Sequence, residues 1–147
     1  MTDNQLFKGI VKAFALGDTE TVDELNPKLR DDESEDYTIY VSAMFAGVLA
    51  EVLGEDPSPE VVRGFVSDMS HAYRNSPTPF KPLAMEALIR VLFGEEELLE
   101  EVDPQDQLRL QIMAIRMATH KSTKIQDRLD DYLSDAEILA AQWQGEG

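Results

Sequence analysis

His120 shares one helical flank with Arg109 and Arg116, and Lys121, Lys124 and Arg128 follow closely. Five of the thirteen lysines and arginines therefore fall between positions 109 and 128. In a chain of net charge −16, a local positive flank can hold a phosphate, a carboxylate or an acidic partner. Arg109, Arg116, His120 and Lys124 are the candidate ligand-binding residues. The competing expectation is internal pairing with Glu95–Asp106 or Asp127–Asp131, or compensation of a helix C-terminal dipole.

His71, the other histidine, stands one turn after Asp68 on the side of its helix away from the apolar stripe. Such a pair can in principle bind a metal or shuttle a proton. A metal site normally takes three or four ligands, and the sequence offers no HExxH, no neighbouring second histidine and no Glu-x-x-His pair. An exposed surface pair and no metal site are expected. The acidic segments Asp31–Asp36 and Glu95–Asp103 lack the spacing of a calcium loop.

Nucleophilic chemistry is equally unsupported. There is no GxSxG or SxxK, and Ser67 and Ser70 beside His71 share a polar helix face without an oxyanion site. Phosphate loops of the GxGxxG and GxxxxGK kinds are missing, and cysteine is absent, which removes thiolate chemistry and disulfides. No catalytic residue, no enzyme and no cofactor are expected.

Composition narrows the partners. A pI near 4.3 opposes direct binding to nucleic acid or to anionic membrane surfaces, both of which usually draw on clustered Lys and Arg. The acids are spread evenly, with 15 acids and 6 bases in residues 1–75 against 14 and 7 in 76–147, so neither half is a charged tail. The opening MTDNQLFKG has no basic stretch followed by an apolar one, so no secretion signal is read and a cytoplasmic location is expected.

The elements that must position these residues read as helices throughout. The most apolar stretch is Tyr37–Leu53. At 100° per residue, Tyr37, Val41, Met44, Phe45, Val48 and Val52 gather on one side and Ala43, Ala46, Gly47 and Ala50 nearly opposite. A helix apolar nearly all round is a core helix or a membrane span. The run is shorter than a bilayer needs, acids flank it and no Lys or Arg anchors its ends, so a core helix is expected. Residues 105–121 form a second two-sided helix, with Leu108, Ile112 and Ile115 on one side and Leu110, Met113 and Met117 on the other.

Around these two, periodic apolar positions predict helices over Asn4–Leu16, after Asp18 or Thr19, after Ser58-Pro59, around Ala84–Leu92, over a short acidic run at Glu95–Asp103, and around Ile125–Leu133. Asn26-Pro27 should kink or split the second of them. Asp31–Glu33 reads as a solvated turn, and Ser34 as the cap of the central helix. Ser134-x-x-Glu137 reads as a capping box opening a last helix. Prolines at 77, 79 and 82 make 75–82 a stiff connection inside one domain, and Gln144–Gly147 a frayed tail.

Without sustained period-two alternation the fold class is all-α: a compact single-domain bundle of six to eight helices over 1–147. A short two-helix-repeat solenoid is the alternative. It is suggested by Leu16-Gly17-Asp18, Leu53-Gly54-Glu55, Phe93-Gly94-Glu95 and the degenerate Leu133-Ser134-Asp135, at intervals of 37, 40 and 40 residues. The functional expectation is a non-enzymatic interaction or self-association domain, with a protein partner or a second copy meeting Tyr37, Met44, Met113 and Met117. The alternative is a small-molecule or anion-binding regulator using the basic flank.

Overall fold

The computed structural model describes residues 3–146, and every regular element among them is helical. In order they are α1 (Asp3–Leu16), α2 (Thr19–Leu25), 3-10 turns at Asn26–Lys28 and Asp31–Glu33, α3 (Ser34–Leu53), α4 (Pro59–Ala72) and α5 (Pro82–Leu92). A 3-10 segment (Glu96–Glu101), α6 (Pro104–Lys121), α7 (Thr123–Asp127) and α8 (Leu129–Glu146) complete the chain. The fold is an all-α compact bundle.

Local chemistry explains most of the boundaries. Asp18, Ser58, Asp103 and Ser122 each accept a backbone N–H of the first helical turn, at 3.0–3.2 Å, which satisfies a donor that the helix itself cannot. Gly17, Gly54 and Gly94 close their helices at φ of 71°, 86° and 109°, a region that costs glycine little. The recurring Gly-acid step is thus a helix-ending device. Its fourth copy, Leu133-Ser134-Asp135, lies inside α8. The chain does not stack as repeats either: α1 packs on α6 and α8, and α3 on α6 and α8, whereas solenoid units touch only their neighbours.

α3 sits at the centre. By length and composition the segment Asp31–Leu53 is apolar enough to cross a membrane, and the helix, at 20 residues, is longer than the stretch read from sequence. Here Tyr40, Val41, Met44, Phe45, Val48 and Leu49 are all buried within the bundle. The small side of α3 is covered only in part: Ala43 is buried and Ala46 half-buried, but Gly47 and Ala50 are exposed, and a Cβ at Gly47 would meet nothing. A polar strip survives where Ser42 donates to Gln111 of α6 at 3.0 Å.

Several boundaries depart from the sequence reading. Asp31–Glu33 winds as a 3-10 turn that runs directly into α3, so Ser34 is the first helical residue and not its cap. Glu33 is buried, and its Oε1 accepts from the Arg30 backbone N–H at 3.1 Å and from Nε at 3.0 Å. Pro82 joins α5 as its first residue, a position that lacks no bond for want of an N–H. The expected capping box at Ser134 opens no helix. Leu129, Leu133, Ala136 and Ala140 form one unbroken buried stripe, no glycine or proline interrupts it, and Glu137 instead accepts from Asn4 and pairs with Lys8 at 2.7 Å. The tail read as frayed is helical through Glu146, with Gln144 donating to Asp36 at 2.8 Å; Gly147 lies outside the described residues.

Two tyrosines of α3 offer an internal comparison. Tyr40 donates to the Leu133 carbonyl of α8 at 2.9 Å, while the buried Tyr37 hydroxyl has no partner among the described residues. Tyr40→Phe is expected to cost about 1 kcal/mol, the net worth of a buried hydrogen bond. Tyr37→Phe removes a desolvated donor that gains nothing, and should be neutral or stabilising by up to about 1 kcal/mol. Urea denaturation of the two variants checks this. Equal losses would mean that Tyr37 holds a buried water.

Candidate functional site

α6 carries the site. Gln105, Arg109, Ile112, Arg116 and His120 recur at spacings of four and three, so they form one stripe along the outer side of the helix. The opposite side, with Leu110, Ala114 and Ala118, is fully buried. That stripe is the floor of a groove of about 1230 Å³. One wall is the end of α1, with Phe14 and Leu16; the other is the end of α4 and the start of the proline-rich connection, from Ala72 to Thr78.

The connection is held as a wall by specific contacts. The Tyr73 hydroxyl donates to the Met113 carbonyl at 3.0 Å, and its ring lies 6.3 Å from that of Phe80. Lys81 donates to Asp106 of α6 at 2.7 Å. Hydrogen bonds from Lys81 and then Arg109 hold the Asp106 carboxyl below the usual carboxylate range. Burial raises the Tyr73 phenol, against the opposing charge of Arg116.

The basic residues separate into different roles. Arg109 is committed, donating to Asp106 at 3.1 Å and to the Met113 sulfur at 3.6 Å. Arg128 pairs with Asp131 at 3.3 Å. Lys121 pairs with Asp68, which therefore serves Lys121 rather than His71, and Lys124 pairs with Glu51 at 3.2 Å. Lys124 does not belong with the other candidates: it lies in a separate pocket with Glu51, Phe65 and Asp68. The reason is local. Ser122 adopts an extended conformation (φ −122°, ψ 112°), which breaks the helical phase after Lys121.

Arg116 differs from the rest. It is exposed within the groove, and no acid pairs with it among the described residues. Its guanidinium lies over Gly17, where a Cβ would come within 3.0 Å of Nη2. The glycine thus ends α1 and leaves room for the cation beside that helix's C-terminal carbonyls, a favourable place for positive charge.

The expected interaction residues divide likewise. Met113 and Met117 line the groove, but Tyr37 and Met44 are 5% and 1% exposed and are covered by the bundle. The bulky face of α3 is core and offers no surface. Among the described residues no group of three His, Asp or Glu side chains is arranged to hold a metal ion.

Sequence reasoning found the α6 flank but not the walls, Phe14, Leu16 and Tyr73–Thr78, which come from segments far away in the chain. Comparison of the chain with protein-family models, with curated proteins and with solved structures finds no match.

Proposed function

We propose that this chain is a non-enzymatic helical interaction domain whose groove along α6 receives a segment of a protein partner. The observation that carries the reading is the groove itself. It is open, about 1230 Å³ in volume, and exposes Leu16 at 57% together with half-buried Phe14, Leu108, Ile112 and Met113. An apolar channel between helices is the setting in which an amphipathic helix docks, and its size exceeds the roughly 300–1000 Å³ typical of small-molecule sites.

A second copy meets the repulsion of two chains each of charge −16 wherever their surfaces approach within the screening length, so a heterologous partner is the first occupant considered. The anion-binding reading stands second: with Arg109 committed to Asp106 and Lys124 in another pocket, only Arg116 and His120 remain to hold an anion.

Leu16→Lys places a charge in the groove at an exposed position and should leave the fold intact. Partner capture from cell extract is expected to drop at least tenfold in this variant, a loss of about 1.4 kcal/mol. It should survive in Leu83→Lys, a control at a residue 80% exposed and outside the groove. Equal loss in both variants, or none in Leu16→Lys, removes the groove from the reading. Light scattering that finds a dimer sensitive to Leu16→Lys would make a second copy the occupant.

A further inference from the structure

We infer that the occupant of the groove is an amphipathic helix whose apolar stripe lies along Leu108, Ile112 and Met113 and whose carboxylate meets the Arg116 guanidinium. This deepens, and rests on, the docking role proposed above.

Charge distribution points to it. Nineteen described residues line the groove and none is acidic, although 29 acids in 147 residues would place about four there at the mean composition of the chain. Among the described residues ten of the thirteen basic side chains are engaged in ion pairs, Lys28, Arg74 and Arg116 being the others, and of these three only Arg116 lines the groove. Arg116 has none among the described residues, in a protein with acids to spare. The long-range field of the chain repels an acidic ligand, but at physiological ionic strength charges are screened beyond roughly 8 Å. Inside an acid-free groove, the nearby guanidinium therefore decides the sign.

Geometry selects the class of ligand. Guanidinium binds carboxylate through two parallel hydrogen bonds, and Arg116 stands one turn beyond Ile112 and Met113 with its guanidinium over Gly17, so the acid must sit where the apolar stripe meets the α1 wall. A helix about 10 Å across occupies roughly 1200 Å³ over ten residues, so an open groove of about 1230 Å³ has room for an occupant of that order. Strand addition is not available, since the described residues contain no sheet edge.

The test uses a synthetic amphipathic helix with a leucine stripe in three versions, carrying Glu, Gln or Lys at the position facing Arg116. Binding is followed by fluorescence anisotropy and by amide shifts of the groove residues. The Glu version should bind about tenfold tighter than the Gln version, as a charge-assisted hydrogen bond implies, and the Lys version weakest. In Arg116→Gln, the Glu and Gln versions should bind alike; in Arg116→Glu, the Lys version should become the tightest.

Three equal affinities at the groove would overturn the carboxylate inference and leave the docking role standing. Failure of all three to shift groove resonances overturns the helix inference, and the Leu16→Lys capture result then judges the docking role independently. Groove shifts produced by laurate and by no peptide would make the occupant a fatty carboxylate and overturn both.

Discussion

Phe45→Ala is expected to cost about 3–5 kcal/mol, the loss typical of a buried aromatic truncated to alanine. Phe45 is 1% exposed in the middle of α3, and α3 packs on both α6 and α8. The cavity therefore opens where two interfaces share a helix, and the neighbours cannot collapse into it without moving each other. Against a typical total stability of about 5–15 kcal/mol, the variant should lose a large share of its margin, and its melting temperature should fall by roughly 6–20 °C. The groove would loosen with it, because its floor is the outer side of α6. Leu83→Ala, at an exposed position on α5, should change stability by less than about 0.5 kcal/mol. Urea denaturation of both variants gives the numbers, and a Phe45→Ala loss below about 1 kcal/mol would mean that α3 is not the centre of the fold.

The centrality of α3 was legible because its apolar residues leave almost no wet side. The same reasoning erred on its details for a physical reason: helical phase tells which residues share a side, not which side is covered. Ala50 and Gly47 lie as near to other apolar positions in projection as Ala43 does, yet only Ala43 is buried. The cap at Ser58 is legible, and Asp18 is one of the two positions the sequence offers for the start of α2, because there a side chain and the backbone interact within three residues. The local signal fails at Ser134, whose pattern fits a helix start but which sits exposed inside α8, where Leu129, Leu133, Ala136 and Ala140 form one continuous buried stripe. Tertiary packing overrides the local signal there.

The site divides along the same line. Arg109, Arg116 and His120 fall on one flank by spacing alone, and the structure brings them together in the groove. Lys124 is close to them in sequence, but one extended residue at Ser122 turns the chain away. What gives the groove its character, the absence of acids and the apolar walls supplied by α1 and by the proline-rich connection, arises from elements 30 to 100 residues apart. No local pattern announces it.

The second large effect is expected in alkali. Burial pushes the phenols of Tyr37 and Tyr40 far above the ordinary tyrosine value, Tyr40 further helped by the charge of Glu137. Burial also raises Tyr73 and Tyr132. In the unfolded chain a phenol ionises near pH ~10, whereas the native state keeps the protons of Tyr37 and Tyr40. Below that pH both states are protonated and this contribution to stability is fully present. Above it the unfolded state binds fewer protons than the native state, so stability falls as pH rises, by about 1.4 kcal/mol per pH unit for each withheld proton. Two deeply buried phenols would remove roughly 5 kcal/mol over two pH units, comparable with the whole stability of many domains. Helicity followed by circular dichroism and tyrosinate absorbance should therefore change together, in one cooperative step. Lysine deprotonation adds repulsion over the same range, and Tyr37→Phe separates the two: with one phenol gone, the alkaline midpoint should move upward. Tyrosinate appearing near pH ~10 with helicity intact would show that water reaches the interior of the bundle.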